Sequence, residues 1–390
     1  MIPYGRQDIN QADIDAVCAV LRSDWLTQGP RIEEFEKAIA GYVGSKYAVA
    51  VSSGTAALHL ACLAAKIGPN DKVITSTNTF VASANCARYV GAEPQFTDID
   101  AETLNLDPEI LAEDCKKAKT LKAIIPVHFG GAPCEMRAIS DIAREHGATI
   151  IEDACHALGA TYPEGGRVGG CPYSDMTVFS FHPVKIIAAG EGGMITTNSE
   201  AYYRRLLRLR SHGINKMDDA FHNIANAFDD GQVNPWYYEL QELGYNYRIT
   251  DIQAALALSQ FARLDTFLAR RKEIALAYDS AFNSCTNIKP TQLSGRRNSA
   301  HHLYVVRIDF RNIGISRREF MIRLRSDGIL PQVHYIPAYM HPYYQRRGAN
   351  EAAFPVTRLY YEQALSIPMY YALSRTDQEY VIEKISKIVQ

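Results

Sequence analysis

Along the first half of the chain, short apolar runs of strand length take turns with stretches of helical period. Tyr47–Val51 reads YAVAV, and Ser52-Ser53-Gly54-Thr55 leads from it into an Ala- and Leu-rich stretch, 56–65, that suits a helix. The same rhythm predicts strands at 72–75, 93–98, 121–127, 149–153, 177–181 and 194–197, a helix at 80–90, and further helices between several of the strands. Ahead of them lies an irregular lead, then Ile14, Val17, Val20 and Leu21 at helical spacing in a helix over 10–22. A Gly29-Pro30 breaker closes the following loop, and an amphipathic helix covers 31–43. Strands alternating with helices on this scale predict an α/β fold with a large, mainly parallel central sheet and helices on both faces.

The pattern changes after Met194. Residues 202–212 read as a basic helix, 217–232 as a polar loop or flap, and 250–282 as one long helical bridge. Beyond the bridge, a strand at 303–308, a helix at 317–327, an aromatic, proline-broken loop at 334–344 and a closing helix at 376–389 suggest a smaller C-terminal α+β domain. The length of 390 residues favours two domains, here 1–260 and 261–390.

Composition narrows the function classes. Apolar residues make up 47% and charged residues 22%, as in ordinary soluble proteins, and the net charge of −2 gives no field for nucleic acid or an anionic membrane. The most apolar region, 47–67, is interrupted by Ser52, Ser53, Gly54, His59 and Lys66, against a membrane span, and no apolar targeting segment opens the chain. The eight cysteines form no C-x-x-C pair, and their dispersal suits a reducing, cytoplasmic setting. The histidines show no ligand spacing, so no metal site is expected.

Four stations carry candidate chemistry, each at the end of an expected strand. Lys185 follows strand 177–181 and the His182-Pro183 stop, and faces the turn of Gly190, Gly192 and Gly193. A lysine held there and desolvated becomes a nucleophilic amine able to form a Schiff base, although a surface loop lysine would read the same. Ser53-Gly54-Thr55-Ala56 joins a strand end to a helix start, where unpaired N–H groups and the helix dipole favour a phosphate; an ordinary capped turn is the alternative. Asp153 ends strand 149–153, where it could hold a proton on a pyridine nitrogen or cap the next helix. Phe80 could cover a flat ring or pack in the core, and His156 reads as a pocket-wall residue. Together the stations serve the phosphate, ring nitrogen, ring face and aldehyde of pyridoxal 5'-phosphate.

With these residues in hand, the chain resembles the sugar-nucleotide aminotransferases of the aspartate-aminotransferase fold type, the fold type I pyridoxal-phosphate transferases. The resemblance rests on Trp25-Leu26-Thr27-Gln28-Gly29-Pro30, Ser53-Gly54-Thr55, Glu152-Asp153-Ala154, Ser180-Phe181-His182 with Lys185, Gly190-Glu191-Gly192-Gly193 and Gly244-Tyr245-Asn246-Tyr247-Arg248. His182-Pro183-Val184-Lys185, Pro235-Trp236-Tyr237-Tyr238-Glu239, Thr250 to Leu256 and Gln332 to Pro337 are similar to the branch that aminates C4 in pseudaminic acid biosynthesis. Ile186-Ile187-Ala188-Ala189 departs from it, being bulkier and more apolar than the loop expected after the lysine.

The resemblance implies transfer of the amino group of L-glutamate to the C4 ketone of a UDP-2-acetamido-2,6-dideoxy-4-keto-hexose. It gives Lys185 the covalent and proton-shuttling role. Asp153 would take the pyridine nitrogen, with Phe80 and His156 beside the ring. Gly54, Thr55, Ala56 and Ser180 would hold the phosphate, with Asn246 reaching it from the other subunit of a homodimer. Tyr4, Asp24, Trp25, Leu26, Thr27, Gln28, Arg248, Gln332, Val333, His334 and Tyr335 would shape the sugar-nucleotide site. Rival readings are an aminotransferase for another nucleotide-linked keto sugar, aminated at C3 or C4, and a non-catalytic scaffold that binds sugar nucleotide or cofactor. A dehydratase on the same scaffold is a further rival, although one branch of those has histidine in place of the lysine.

Overall fold

The computed structural model describes residues 1–216 and 220–389. A seven-stranded sheet forms its centre, in the spatial order Tyr47–Val51, Gly193–Thr197, Met176–Ser180, Thr149–Asp153, Leu121–Ile125, Lys72–Ser76, Glu93–Thr97. Gly193–Thr197 runs antiparallel to both neighbours, and the other pairings are parallel.

Successive side chains on a strand point to opposite faces, and the core divides accordingly. Ala48, Ala50, Ile74, Ile124, Ile150 and Phe179 pack with helix Pro30–Val43 through Phe35 and Ile39 on one side. Val49, Val51, Val73, Ile125, Ile151 and Val178 pack with helix Gly54–Ala64 through Leu58 and Cys62 on the other. Such strands carry buried apolar residues on both faces because both faces are covered. All strands but Gly193–Thr197 run the same way, so the carboxyl ends of six strands lie at one edge, where α/β sheets bind ligands.

The C-terminal part carries a separate three-stranded antiparallel sheet, in the order Ile288–Pro290, Tyr304–Ile308, Ala364–Ile367. Helices Leu264–Phe282, Arg317–Ser326 and Arg375–Val389 cover it through Tyr278, Phe320, Leu324, Val381 and Ile385. Arg271 of the first helix is buried, and its Nη1 donates to the carbonyls of His301, His302 and Met369 at 3.2, 3.2 and 3.0 Å.

Three expectations change. The bridge over 250–282 is two helices, Asp251–Phe261 and Leu264–Phe282, parted at Arg263. Arg263 leaves helical geometry and donates to Asp8 at 2.7 Å and Asp13 at 2.6 Å, an ion pair that the apolar periodicity does not reveal. The irregular lead includes Ile2–Pro3, which pairs in parallel with Ile329–Leu330. The expected flap includes a short helix, Ile224–Ala227, and a small hairpin, Phe228–Asp229 with Gln232–Val233, while 217–219 lie outside the described residues.

Candidate functional site

At the shared strand edge lies a cavity of about 450 Å³. The sheet supplies Ser53, Gly54 and Thr55 after its first strand, Thr79 and Phe80 after Lys72–Ser76, and Val127 after Leu121–Ile125. It adds Asp153, Cys155 and His156 from the end of Thr149–Asp153, and Ser180, His182 and Lys185 from the end of Met176–Ser180. Tyr4, His302, His334 and Tyr335 close the cavity from the opposite side. Tyr4 gets there because the N-terminal strand is paired to the C-terminal part and its carbonyl accepts Met369 N–H at 2.9 Å.

The anion end is the start of helix Gly54–Ala64. Its first N–H groups have no acceptor within the helix. Ser53 Oγ accepts the N–H of Ala56 at 3.1 Å, and Gly54 and Thr55 line the cavity. Gly54 allows close packing against the next strand end: a Cβ there would lie 2.9 Å from Ser180 Cβ and 3.2 Å from Cys155 Sγ. Ser180 adds a hydroxyl at the end of its strand, so a phosphate-sized anion would meet backbone donors, side-chain hydroxyls and a helix dipole together.

Opposite the anion end, burial lowers the Lys185 amine below the usual lysine value, while Cys155 and Asp153 oppose the shift. Asp153 is itself buried, and its two oxygens are tied: Oδ2 accepts Ser83 Oγ–H at 2.5 Å and Oδ1 accepts Cys155 N–H at 3.1 Å. His156 is neutral. Burial, then Lys185 and His334, hold it well below the usual imidazole value. Its Nδ1 accepts Gly130 N–H at 3.3 Å, which leaves the proton on Nε2, facing Tyr335 Oη at 3.0 Å. Burial, then the charge of Asp153, raises Tyr335 well above its usual value, so the phenol stays protonated with its own O–H free to donate into the cavity. His334 Nδ1 meets Ser366 Oγ at 2.8 Å, and burial followed by Lys185 pushes this imidazole down to about 3. The exposed ring of Phe80 stands 6.0 Å from that of Tyr335, centroid to centroid. A flat heterocycle bound between the anion end and the lysine would have rings and hydroxyls on its flanks and a carboxylate at its edge.

Of the residues expected from sequence, Tyr4, Gly54, Thr55, Phe80, Asp153, His156, Ser180, Lys185, His334 and Tyr335 come together here. Ala56 does not line the cavity, its N–H being taken by Ser53. Gln28 and Arg248 line a second cavity of about 430 Å³, rich in basic groups, with Arg204, Arg208, Arg210, His212 and Lys216. Thr27 pairs with Thr250, Asn246 pairs with Ser211, and Trp25 and Leu26 are exposed, none of them in the first cavity. Asp24 and Val333 also lie outside it, and Gln332 is exposed, with its backbone bridged to Ser366. Ile186, Ile187, Ala188 and Ala189, the departure after the lysine, are buried away from the cavity lining, and three of them join the core beneath the sheet.

Sequence reasoning missed His302 and Thr79 in the wall and Ser83 behind Asp153. Nothing in the spacing ties residue 302 to residue 156, yet their rings lie 4.4 Å apart. Ser83 sits on helix Ala82–Tyr89 at no distinctive motif. Among the described residues, no group of three or more His, Cys, Asp or Glu side chains is placed to hold a metal ion, and no helix is long and apolar enough to cross a membrane.

Residues 7–386 match the model of the DegT/DnrJ/EryC1/StrS aminotransferase family. The spore coat polysaccharide biosynthesis protein SpsC of Bacillus subtilis is 41% identical over 393 aligned positions, covering 100% of this chain and 97% of that protein. Among solved structures, the Helicobacter pylori aminotransferase PseC, involved in the biosynthesis of pseudoaminic acid, superposes with a TM-score of 0.88 at 28% identity, covering 100% of this chain and 99% of that one. The putative sugar aminotransferase Spr1654 of Streptococcus pneumoniae, solved in its PMP form, gives a TM-score of 0.89 at 30% identity over 100% and 99% of the two chains.

Proposed function

The chain belongs to the DegT/DnrJ/EryC1/StrS aminotransferase family and is a pyridoxal-phosphate-dependent sugar aminotransferase of fold type I; from there we propose that it moves the amino group of L-glutamate onto the C4 ketone of a UDP-linked 2-acetamido-2,6-dideoxy-4-keto-hexose. The observation that carries this reading is the meeting of Lys185, Asp153 and the start of helix Gly54–Ala64 in one cavity. The likeness to PseC over the whole chain supports the sugar class. The higher identity to SpsC favours a second reading, another nucleotide-linked keto sugar bound for a polysaccharide.

The residues present fit the cofactor: the helix start at Gly54 and Thr55, with the Ser180 hydroxyl, suits a phosphate, and the carboxylate of Asp153 and the amine of Lys185 line the same cavity. When bound, pyridoxal phosphate supplies an aldehyde to be joined to a lysine amine and a ring that accepts an electron pair. Gly54, Thr55 and Ser180 would grip the phosphate, and Asp153 would hold a proton at the ring nitrogen. Lys185, once released by the incoming amine, would take the proton from the donor's Cα and return it to the cofactor. Its lowered basicity leaves more of it as free amine near neutral pH, the form that accepts a proton.

We assign Gln28, Asn246 and Arg248 to the partner's site in a homodimer. Their position outside their own chain's cavity supports this, as do the exposed Trp236, Tyr238, Leu240 and Leu243, which leave apolar surface for a second copy to cover. The basic cavity beside Arg248 suits a nucleotide diphosphate. In the same reading, 1–260 form the cofactor-binding domain and 261–390 the smaller one, with Ile2–Pro3 strapping the first to the second.

The test is incubation of the enzyme with L-glutamate and a panel of UDP-, dTDP- and GDP-linked keto sugars, with the new C–N bond located by NMR. Turnover of the UDP-linked 4-keto sugar ahead of the others is expected, with parallel lines in double-reciprocal plots. Preference for a dTDP or GDP sugar, or amination at C3, overturns the substrate assignment. Gly54→Ala is expected to weaken cofactor binding about tenfold or more, because a Cβ 2.9 Å from Ser180 Cβ displaces a hydroxyl that would bond the charged phosphate, in titrations of apoenzyme followed by absorbance.

A further inference from the structure

The carboxylate of Asp153 is gripped from behind by a chain of hydroxyls. Ser83 is fully buried on helix Ala82–Tyr89, and its Oγ lies 2.5 Å from Asp153 Oδ2. A serine has one proton to give. The other oxygens within reach of Ser83 are the carbonyl of Phe80 at 3.4 Å and Thr79 Oγ1 at 2.7 Å. The carboxylate is the nearest and the only charged one, so Ser83 donates to it and in turn accepts from Thr79, itself buried at the cavity wall. The order Thr79 to Ser83 to Asp153 sends both hydroxyl dipoles toward the negative charge, and hydrogen bonds to an ionised acceptor are the strong ones. Cys155 N–H holds the other oxygen. Around the same carboxylate stand Lys185, the Cys155 thiol, Tyr335 and, from the helix side, Cys86.

We propose that Ser83, backed by Thr79, is a positioning residue that holds the Asp153 carboxylate aimed so that its remaining lone pairs face the cofactor's ring nitrogen. The inference rests on the reading that Asp153 serves that nitrogen. Two tethers, one on each oxygen, fix the plane of the carboxylate. Without Ser83 the Oδ2 atom is left buried and unpaired, which costs far more than a hydrogen bond made and lost in water. The carboxylate then turns to find another partner, and its hold on the ring nitrogen weakens.

Five holoenzymes decide it: wild type, Ser83→Ala, Ser83→Thr, Asp153→Asn and the Ser83→Ala/Asp153→Asn double variant. Four quantities are read on each: the pH midpoint of the cofactor's visible absorbance change, its dissociation constant from the apoenzyme, and kcat and KM for the amino donor. Ser83→Ala is expected to lower kcat about tenfold to a hundredfold with KM little moved, as for loss of a hydrogen bond to a charged group. The absorbance midpoint should rise, because a ring nitrogen less firmly protonated leaves the lysine-linked nitrogen more basic. Ser83→Thr keeps the hydroxyl and should restore both. The double variant should behave as Asp153→Asn alone. A Ser83→Ala enzyme with the wild-type midpoint and kcat overturns the proposal, as does a double variant whose losses multiply, since that marks a general packing defect. An Asp153→Asn enzyme with unchanged spectrum and cofactor affinity overturns instead the assignment of Asp153 on which the inference stands.

Discussion

Lys185→Ala is expected to lower amino transfer by about four orders of magnitude or more, the upper end of what one positioned acid–base group supplies, with the covalent link lost as well. The residue lies in the loop between Met176–Ser180 and Gly193–Thr197, within reach of both Asp153 and Cys155, and among the described residues no second lysine lines the cavity. No nearby amine can therefore take over. The purified variant should lack the absorbance of lysine-joined cofactor and form no keto acid from the amino donor, while still binding pyridoxal phosphate at the anion end. Lys185→Arg should not rescue it, because a guanidinium stays protonated throughout the working range. The wild-type activity should rise from acid toward neutral pH as the amine loses its proton, and burial moves that limb below the ordinary lysine value. Near-normal keto acid production by Lys185→Ala would contradict the role given to this residue. Unchanged sugar-nucleotide affinity together with no turnover in wild type would favour the binding-scaffold reading.

Glu152→Ala is expected to cost about 3–5 kcal/mol of folding stability, the usual toll of removing one partner from a buried charged network. Glu152 is the neighbour of Asp153 on the same strand and points to the opposite face of the sheet, where it is fully buried. His128 Nε2 lies 2.7 Å from it, Tyr162 Oη reaches both its oxygens at 3.0 and 2.8 Å, Thr177 Oγ1 is at 3.0 Å, and Ser174 Oγ donates as well. Cys134 N–H donates to His128 Nδ1 at 3.0 Å, so that nitrogen carries a lone pair and the ring meets Glu152 as an Nε2–H donor. Truncation strands all four side-chain donors in the core.

Burial alone would raise the Glu152 carboxyl, but the hydrogen bonds from His128, Ser174 and Tyr162 outweigh it and hold it below its usual value. A carboxyl depressed in the folded state contributes stability that is fully present above its unfolded value, about 4.3, and is lost as pH falls through the lower folded value. Denaturation midpoints of Glu152→Ala should lie far below wild type at pH 7, and their acid slope should be shallower. Glu164→Ala, at an exposed loop position, should stay within about 0.5 kcal/mol of wild type. A Glu152→Ala protein as stable as that control would show the network to be dispensable.

Much of this protein was legible because its sheet is covered on both faces. That places buried apolar residues on both faces of its strands, so Tyr47–Val51, Thr149–Asp153 and Met176–Ser180 stand out of the sequence nearly to their ends. A parallel α/β sheet gathers strand ends at one edge, so the four chemical stations could be expected to meet before any coordinate was known, and Lys185, Asp153, Gly54 and Phe80 do. The apolar residues after the lysine looked like a departure within the site, and they belong to the core.

What sequence alone could not supply depends on contacts between distant segments. The break at Arg263 is set by Asp8 and Asp13, more than two hundred positions away, and periodicity sees only neighbours within a few turns. Tyr4 reaches the cavity through a two-residue strand too short to carry a pattern. Glu152 and Asp153 are adjacent acids, and the alternation of the strand sends one into a buried stability network and the other to the cavity. Ser83 and His302 have no motif, because a serine behind a carboxylate or a histidine against another ring is defined by distance in space. Sequence determined the layers, the edge and the chemical groups brought to it; tertiary packing decided which oxygen each hydroxyl holds, since a hydrogen bond is made or lost within an ångström and no spacing along the chain is that fine.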